Sequence, residues 1–123
     1  MITFSPEAYA ELRWLVSELG DRKHVVMVHW LDASLDLVRS DEGKAVWKEV
    51  IPARWHVSVE ALPGEKYETE EEELRWPEHY VKWLEETLIQ VGDLRVHFSP
   101  SKSGITSATV TYVDGNFDVQ QTA

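Results

Sequence analysis

The chain has 123 residues, enough for one domain and too few for two independent cores. Its hydrophobic share of 43% and its six Trp, four Tyr and three Phe argue against disorder of the whole chain. It has no cysteine, which excludes disulfides, thiolate metal sites, cysteine nucleophiles and ordinary iron–sulfur ligation.

Twelve Lys and Arg against 22 Asp and Glu leave a net charge of −10. Such a surface repels a phosphate backbone, so direct nucleic-acid binding is disfavoured. The charge is uneven: residues 65–86 hold nine acids against Lys66, Arg75 and Lys82, a net of −6. The opening Met1-Ile2-Thr3-Phe4-Ser5-Pro6-Glu7 has no basic leader and no apolar stretch behind it, so no signal peptide is expected. No apolar run approaches the roughly 18 residues a membrane span needs, and a cytoplasmic setting fits the lack of cysteine.

The first predicted element is a helix over 6–19. Ser5 is a good N-cap, Pro6 suits the first helical position, and Ala8, Leu12, Leu15, Val16 and Leu19 form an apolar stripe that Gly20 ends. Val25–Leu31 is a nearly continuous apolar run too short for a core helix, and reads as a central strand buried on both faces. Leu35–Arg39 and Ala45–Val50 flank a polar turn, Ser40–Lys44, and predict a hairpin that Pro52 ends. From Trp55 to Ala61 apolar and polar residues alternate, which predicts a half-buried strand.

Residues 65–75 are polar and acidic, and read as a linker or excursion within the single domain 1–123. Thr69-Glu70-Glu71-Glu72 has the form of a capping box that starts a helix early, whereas Pro77 places the firm start of the second helix there. Val81, Leu84, Leu88 and Val91 form its stripe, and Gly92 is its expected end. Three strands follow: Leu94–Phe98, Ala108–Tyr112, and a last one after the tight-turn pair Asp114-Gly115. Between them Ser99–Ser107 reads as a polar loop. The order is α-β-β-β-β-α-β-β-β, with Ile2–Phe4 as a short extra strand. It predicts an α+β fold, a mainly antiparallel sheet with two helices packed on one face.

Five histidines are the first candidates for chemistry. His29, His56 and His97 lie on predicted strands and would meet if register placed them on one face, with Asp32 or Asp36 assisting. A His-x-His or His-x-x-x-His ligand spacing is missing, and the default reading is ordinary surface or packed histidines. There is no nucleophile elbow, no P-loop and no dinucleotide fingerprint, so no enzyme activity and no cofactor is expected. The acidic run Glu70, Glu71, Glu72, Glu73 has two open readings: a solvated helix N-terminus, or a docking face for a basic protein partner. Trp76 and Trp83 beside it read either as aromatic interface anchors or as caps on the edges of a small sheet.

The two ends of the chain resemble the frame of the HesB/IscA-type iron–sulfur assembly proteins. The residues concerned are Ile2-Thr3-Phe4-Ser5-Pro6-Glu7-Ala8 with Leu12, then Asp93–Pro100 and Ala108–Val113, which look like that family's paired late strands. The family's cysteines have no counterpart: His29-Trp30-Leu31-Asp32 stands at the first position, and the chain ends Gln120-Gln121-Thr122-Ala123. The resemblance therefore implies a shared fold with the cluster chemistry lost. Two functions are expected from these readings. One is a non-catalytic interaction domain, immunity- or inhibitor-like, using an acidic, Trp-flanked face. The alternative is a cysteine-free HesB/IscA-like domain with a His/Asp metal site.

Overall fold

A computed structural model describes residues 1–100 and 107–122. The order of elements is β1 (Ile2–Phe4), α1 (Pro6–Ser17), β2 (His24–Leu31), β3 (Ser34–Arg39), β4 (Ala45–Ile51), β5 (Arg54–Ala61), α2 (Glu70–Arg75), α3 (Glu78–Thr87), β6 (Ile89–Val91), β7 (Leu94–Ser99), β8 (Ser107–Val113) and β9 (Asn116–Thr122). The fold is α+β. The strands form a sheet of order β5-β2-β7-β6, a second of order β1-β8-β9, and the isolated pair β3-β4. Pairing is mainly antiparallel; β2–β7 and β1–β8 are the parallel pairs. Residues 101–106, most of the expected polar loop, lie outside the described residues.

Helix α1 starts where its cap dictates: the Ser5 hydroxyl accepts from the Ala8 N–H at 3.1 Å. Its Ala8 and Leu12 are fully buried against Val26, Val28, Leu94, Val96 and Val110. Strand β2 is internal to its sheet, and Val25–Val28 are buried on both faces, as a continuous apolar run requires. Asp114 and Gly115 both take positive φ, 52° and 81°, the mirror-image turn that an Asp-Gly pair favours between strands.

Several expectations are corrected. The helices do not share one face. The side of the four-stranded sheet bearing Val26 and Val28 packs on α1 and the β1-β8-β9 sheet, while Val25 and Met27 on the other side pack with Leu62, Trp76 and Leu84 under α2 and α3. The second helix ends at Thr87 rather than at Gly92. Ile89–Val91 instead pairs with β7, and Gly92 (φ 59°) makes the tight turn between them, under the Tyr9 ring. Strands β7 and β8 do not pair with each other, as the family resemblance implied; they belong to different sheets.

The segment 65–75 is no free linker. Thr69 caps α2 by accepting from the Glu72 N–H at 3.1 Å, and the Tyr67 hydroxyl donates to the Trp76 carbonyl at 2.6 Å. Arg22 bridges the Leu62 carbonyl and Glu72, and Arg75 pairs with Glu60 at 2.8 Å. Pro77 does mark a boundary: it separates α2 from α3, because an interior proline would remove a helix hydrogen bond.

The expected hairpin is present, with a larger context. The ladder from His24↔Ala61 to Leu31↔Arg54 resumes in step at Ser34↔Ile51. Thus β2–β3 and β4–β5 are the two arms of one long ribbon, interrupted at 32–33 and at 52–53, where Pro52 has no N–H to give, and shifted in register by one residue between Ser34 and Leu35. Its inner half lies in the four-stranded sheet. Its outer half, β3–β4, belongs to neither core cluster.

Candidate functional site

Alternation along a strand decides which side chains reach the second face of the four-stranded sheet. From β2 these are Val25, Met27 and His29; opposite them on β5 are Glu60, Ser58 and His56. On the other side β7 presents His97, whose backbone partner is Met27. The face is apolar at one end and imidazole-lined at the other. Helices α2 and α3 cover the apolar end with Trp76 and Leu84 and leave a cleft of about 480 Å³ beside His29, His56, Ser58, Glu60, Trp76 and Tyr80.

Register therefore gathers the three predicted histidines from three adjacent strands. The His29 and His97 rings meet edge to face, with centroids 5.1 Å apart, and His29 and His56 are directly paired across the ladder. Past His97 lies Trp83, at 5.2 Å, then Tyr80 and Trp76 along the helical wall at 6.0 and 5.9 Å. Burial holds the His29 imidazolium off, reinforced by His97 and His56, and pulls its pKa down to about 4; burial lowers that of His97 as well. The His29 Nε2 atom is buried and has no hydrogen-bond partner among the described residues, an uncommon condition for a buried ring nitrogen. His24 is different: its Nε2 accepts from the Arg95 N–H at 3.0 Å, which is a structural role.

As the side chains stand, no three His, Asp, Glu or Cys among the described residues are arranged to hold a metal ion. The two assisting aspartates do not join the histidines. Asp32 accepts from the Trp30 indole N–H at 3.2 Å, and Asp36 lies on the outer ribbon.

The acidic run occupies the first turn of α2, where negative charge suits the helix dipole. Its four carboxylates are not equivalent. Glu72 faces inward to Arg22, with an N–O distance of 3.4 Å and a side chain 15% exposed. Glu70, Glu71 and Glu73 are exposed and form no ion pair among the described residues. The two tryptophans also part company. Trp83 is 47% exposed, but Trp76 is 5% exposed and belongs to the core under α2, so it is not free to anchor a partner.

Leu74, Tyr80, Ser58 and Glu60 line the cleft and were not singled out by sequence. Leu74 carried a detectable signal: a large apolar residue at the far end of a run of four glutamates. No helix among the described residues is long and apolar enough to cross a membrane. Compared with known protein families, curated proteins and solved structures, the chain matches none.

Proposed function

We propose that this domain is a non-catalytic interaction module that binds a basic protein through the outer surface of α2 and the rim of the adjoining cleft. One observation carries the reading. Leu74 is 81% exposed at the cleft mouth, on a helix whose Glu70 and Glu71 are its neighbours one turn back. An exposed leucine one turn from unpaired carboxylates matches a segment that alternates apolar and basic side chains. Carboxylates steer such a segment in, and the leucine, Tyr80 and Trp83 supply apolar contact. The anchoring set is Glu70, Glu71, Glu73, Leu74 and Trp83; Glu72 and Trp76 serve the fold.

Protein retained by the immobilised domain at about 50 mM salt should be basic and should elute by about 500 mM, where the screening length falls to a few ångströms. A variant carrying Glu70→Gln, Glu71→Gln and Glu73→Gln should retain far less of it. Retention that is indifferent to salt, or to this triple change, would reject the reading.

A second reading has in its favour the buried Nε2 of His29, which has no hydrogen-bond partner among the described residues. In it the chain is a cysteine-free HesB/IscA-like domain that holds a divalent transition-metal ion on His29, His97 and His56. The rings would have to turn until three nitrogens stand about 2.0–2.1 Å from the ion. Calorimetric titration with Zn²⁺ should then show one equivalent bound by the native chain and none by His29→Ala. Equal uptake by the two proteins, or none by either, would exclude this site.

A further inference from the structure

The outer ribbon β3–β4 presents large apolar side chains to water on both sides. Cross-strand register puts Leu35, Leu37 and Trp47 on one face, 53%, 56% and 70% exposed. Val38 and Val46 share the other face with the Asp36–Lys48 pair. Among the described residues the ribbon's extensive contacts are those between its own two strands. A two-stranded hairpin standing alone is marginal in water, so a ribbon with this composition calls for a cover.

Charge identifies the cover. Residues 34–51 carry Asp36, Asp41, Glu42 and Glu49 against Arg39, Lys44 and Lys48, a net of −1, so the remainder of the chain carries −9 of the total −10. A basic partner is drawn to 65–86 rather than here. Two copies of this acidic chain, by contrast, meet with little net repulsion at this ribbon.

The face itself is self-complementary. From base to tip it reads Leu35 with Glu49, Leu37 with Trp47, and Arg39 with Ala45. Stacking two such faces tip over base sets Leu37 and Trp47 on their own copies at the centre. It also brings Arg39 at each tip near Glu49 at the other copy's base. One two-fold axis generates both ion pairs, as an isologous contact requires.

We propose that the β3–β4 ribbon is a self-association arm, through which two copies of this chain pair by stacking their Leu35–Leu37–Trp47 faces tip over base. From strand rise and spacing one face measures roughly 20 by 10 Å. That is well short of the roughly 800 Å² per partner of a standard interface. The dimer is accordingly weak, with a Kd on the order of micromolar to tens of micromolar.

Sedimentation equilibrium on the whole chain, from about 1 to about 500 μM, should show mass rising from monomer toward dimer. Leu37→Glu and Trp47→Glu should each raise the dimer Kd at least about tenfold. Neither change touches a core cluster, so the unfolding midpoint of the dilute monomer should stay in place. Arg39→Glu should weaken the dimer, and adding Glu49→Arg to it should restore the association. A chain that stays monomeric across the range, or a dimer indifferent to Leu37→Glu and Trp47→Glu, would overturn the proposal. Failure of the double charge reversal to restore association would overturn the tip-over-base pairing.

Discussion

Replacing Trp76 with alanine should destabilise the domain by about 3–5 kcal/mol, the range for deleting a buried indole. The same change at Trp83 should cost less than about 1 kcal/mol. Both residues stand beside the acidic run, and the contrast follows from where each ring goes. Trp76 closes α2: its N–H donates to the Glu72 carbonyl, and its own carbonyl accepts from Tyr67. Its ring fills the second core cluster with Val25, Met27, Leu62 and Leu84. That cluster is small, so little neighbouring material can collapse into the space an alanine would leave. Trp83 lies across the outer edge of His97 with about half its surface in water. Urea unfolding of the two variants, followed by far-UV circular dichroism, separates the cases. A Trp76→Ala loss below about 1 kcal/mol would mean that the ring is not core.

Acidification should weaken the fold between about pH 6.5 and pH 4, before general carboxylate protonation dominates, with His29 as the largest single imidazole contributor. Its pKa falls from 6.5 to about 4 on folding, through burial first and then through His97 and His56. The sign follows directly. In this window the unfolded chain takes up a proton that the folded chain refuses, so stability present above pH 6.5 is lost as pH falls toward 4. Below about 4 the contribution levels off, because both states are then protonated. The full shift would correspond to about 3 kcal/mol at about 1.4 kcal/mol per unit. Solvent screening of a ring that is only part buried reduces this to on the order of 2 kcal/mol. His24 and His97, also lowered, act in the same direction. Unfolding free energies at about pH 7, 5.5 and 4.5 for the native chain and His29→Leu check the assignment, and an unchanged acid slope in the variant would refute it.

The predicted order of elements held, and its sharpest points were the Ser5-Pro6 start of α1, the apolar run of β2 and the Asp114-Gly115 turn. The end of the second helix was misread because Leu88, Ile89 and Val91 satisfy a helical stripe and a short strand equally well. Three residues are too few for periodicity to choose. Trp76 was open to two readings, interface anchor or sheet-edge cap, because it closes an acidic segment, and its ring instead lies in the core cluster beneath α2 and α3. The meeting of His29, His56 and His97 was conditional on register, and register is not local here. The β2–β5 pairing spans residues 32–53, and the parallel β2–β7 pairing spans two helices. Likewise nothing in the order of elements says that α1 and α3 lie on opposite sides of one sheet.

The long ribbon, with its one-residue shift between Ser34 and Leu35, bears on how the chain first finds its shape. The turn at Ser40–Lys44 brings β3 and β4 together across a short loop, on the microsecond scale usual for hairpins. Pairing can then zip from that tip toward the base, so Leu31 and Arg54 meet without a separate search through the freedom of the segment between them. The parallel partnerships of β2 with β7 and of β1 with β8 have no such shortcut. Each must close most of the chain at once, and their contacts are the high-contact-order part of the topology. The projecting ribbon, which adds nothing to either core, is thus the element that lowers the entropic cost of assembling the strand pair on which His29 and His56 sit.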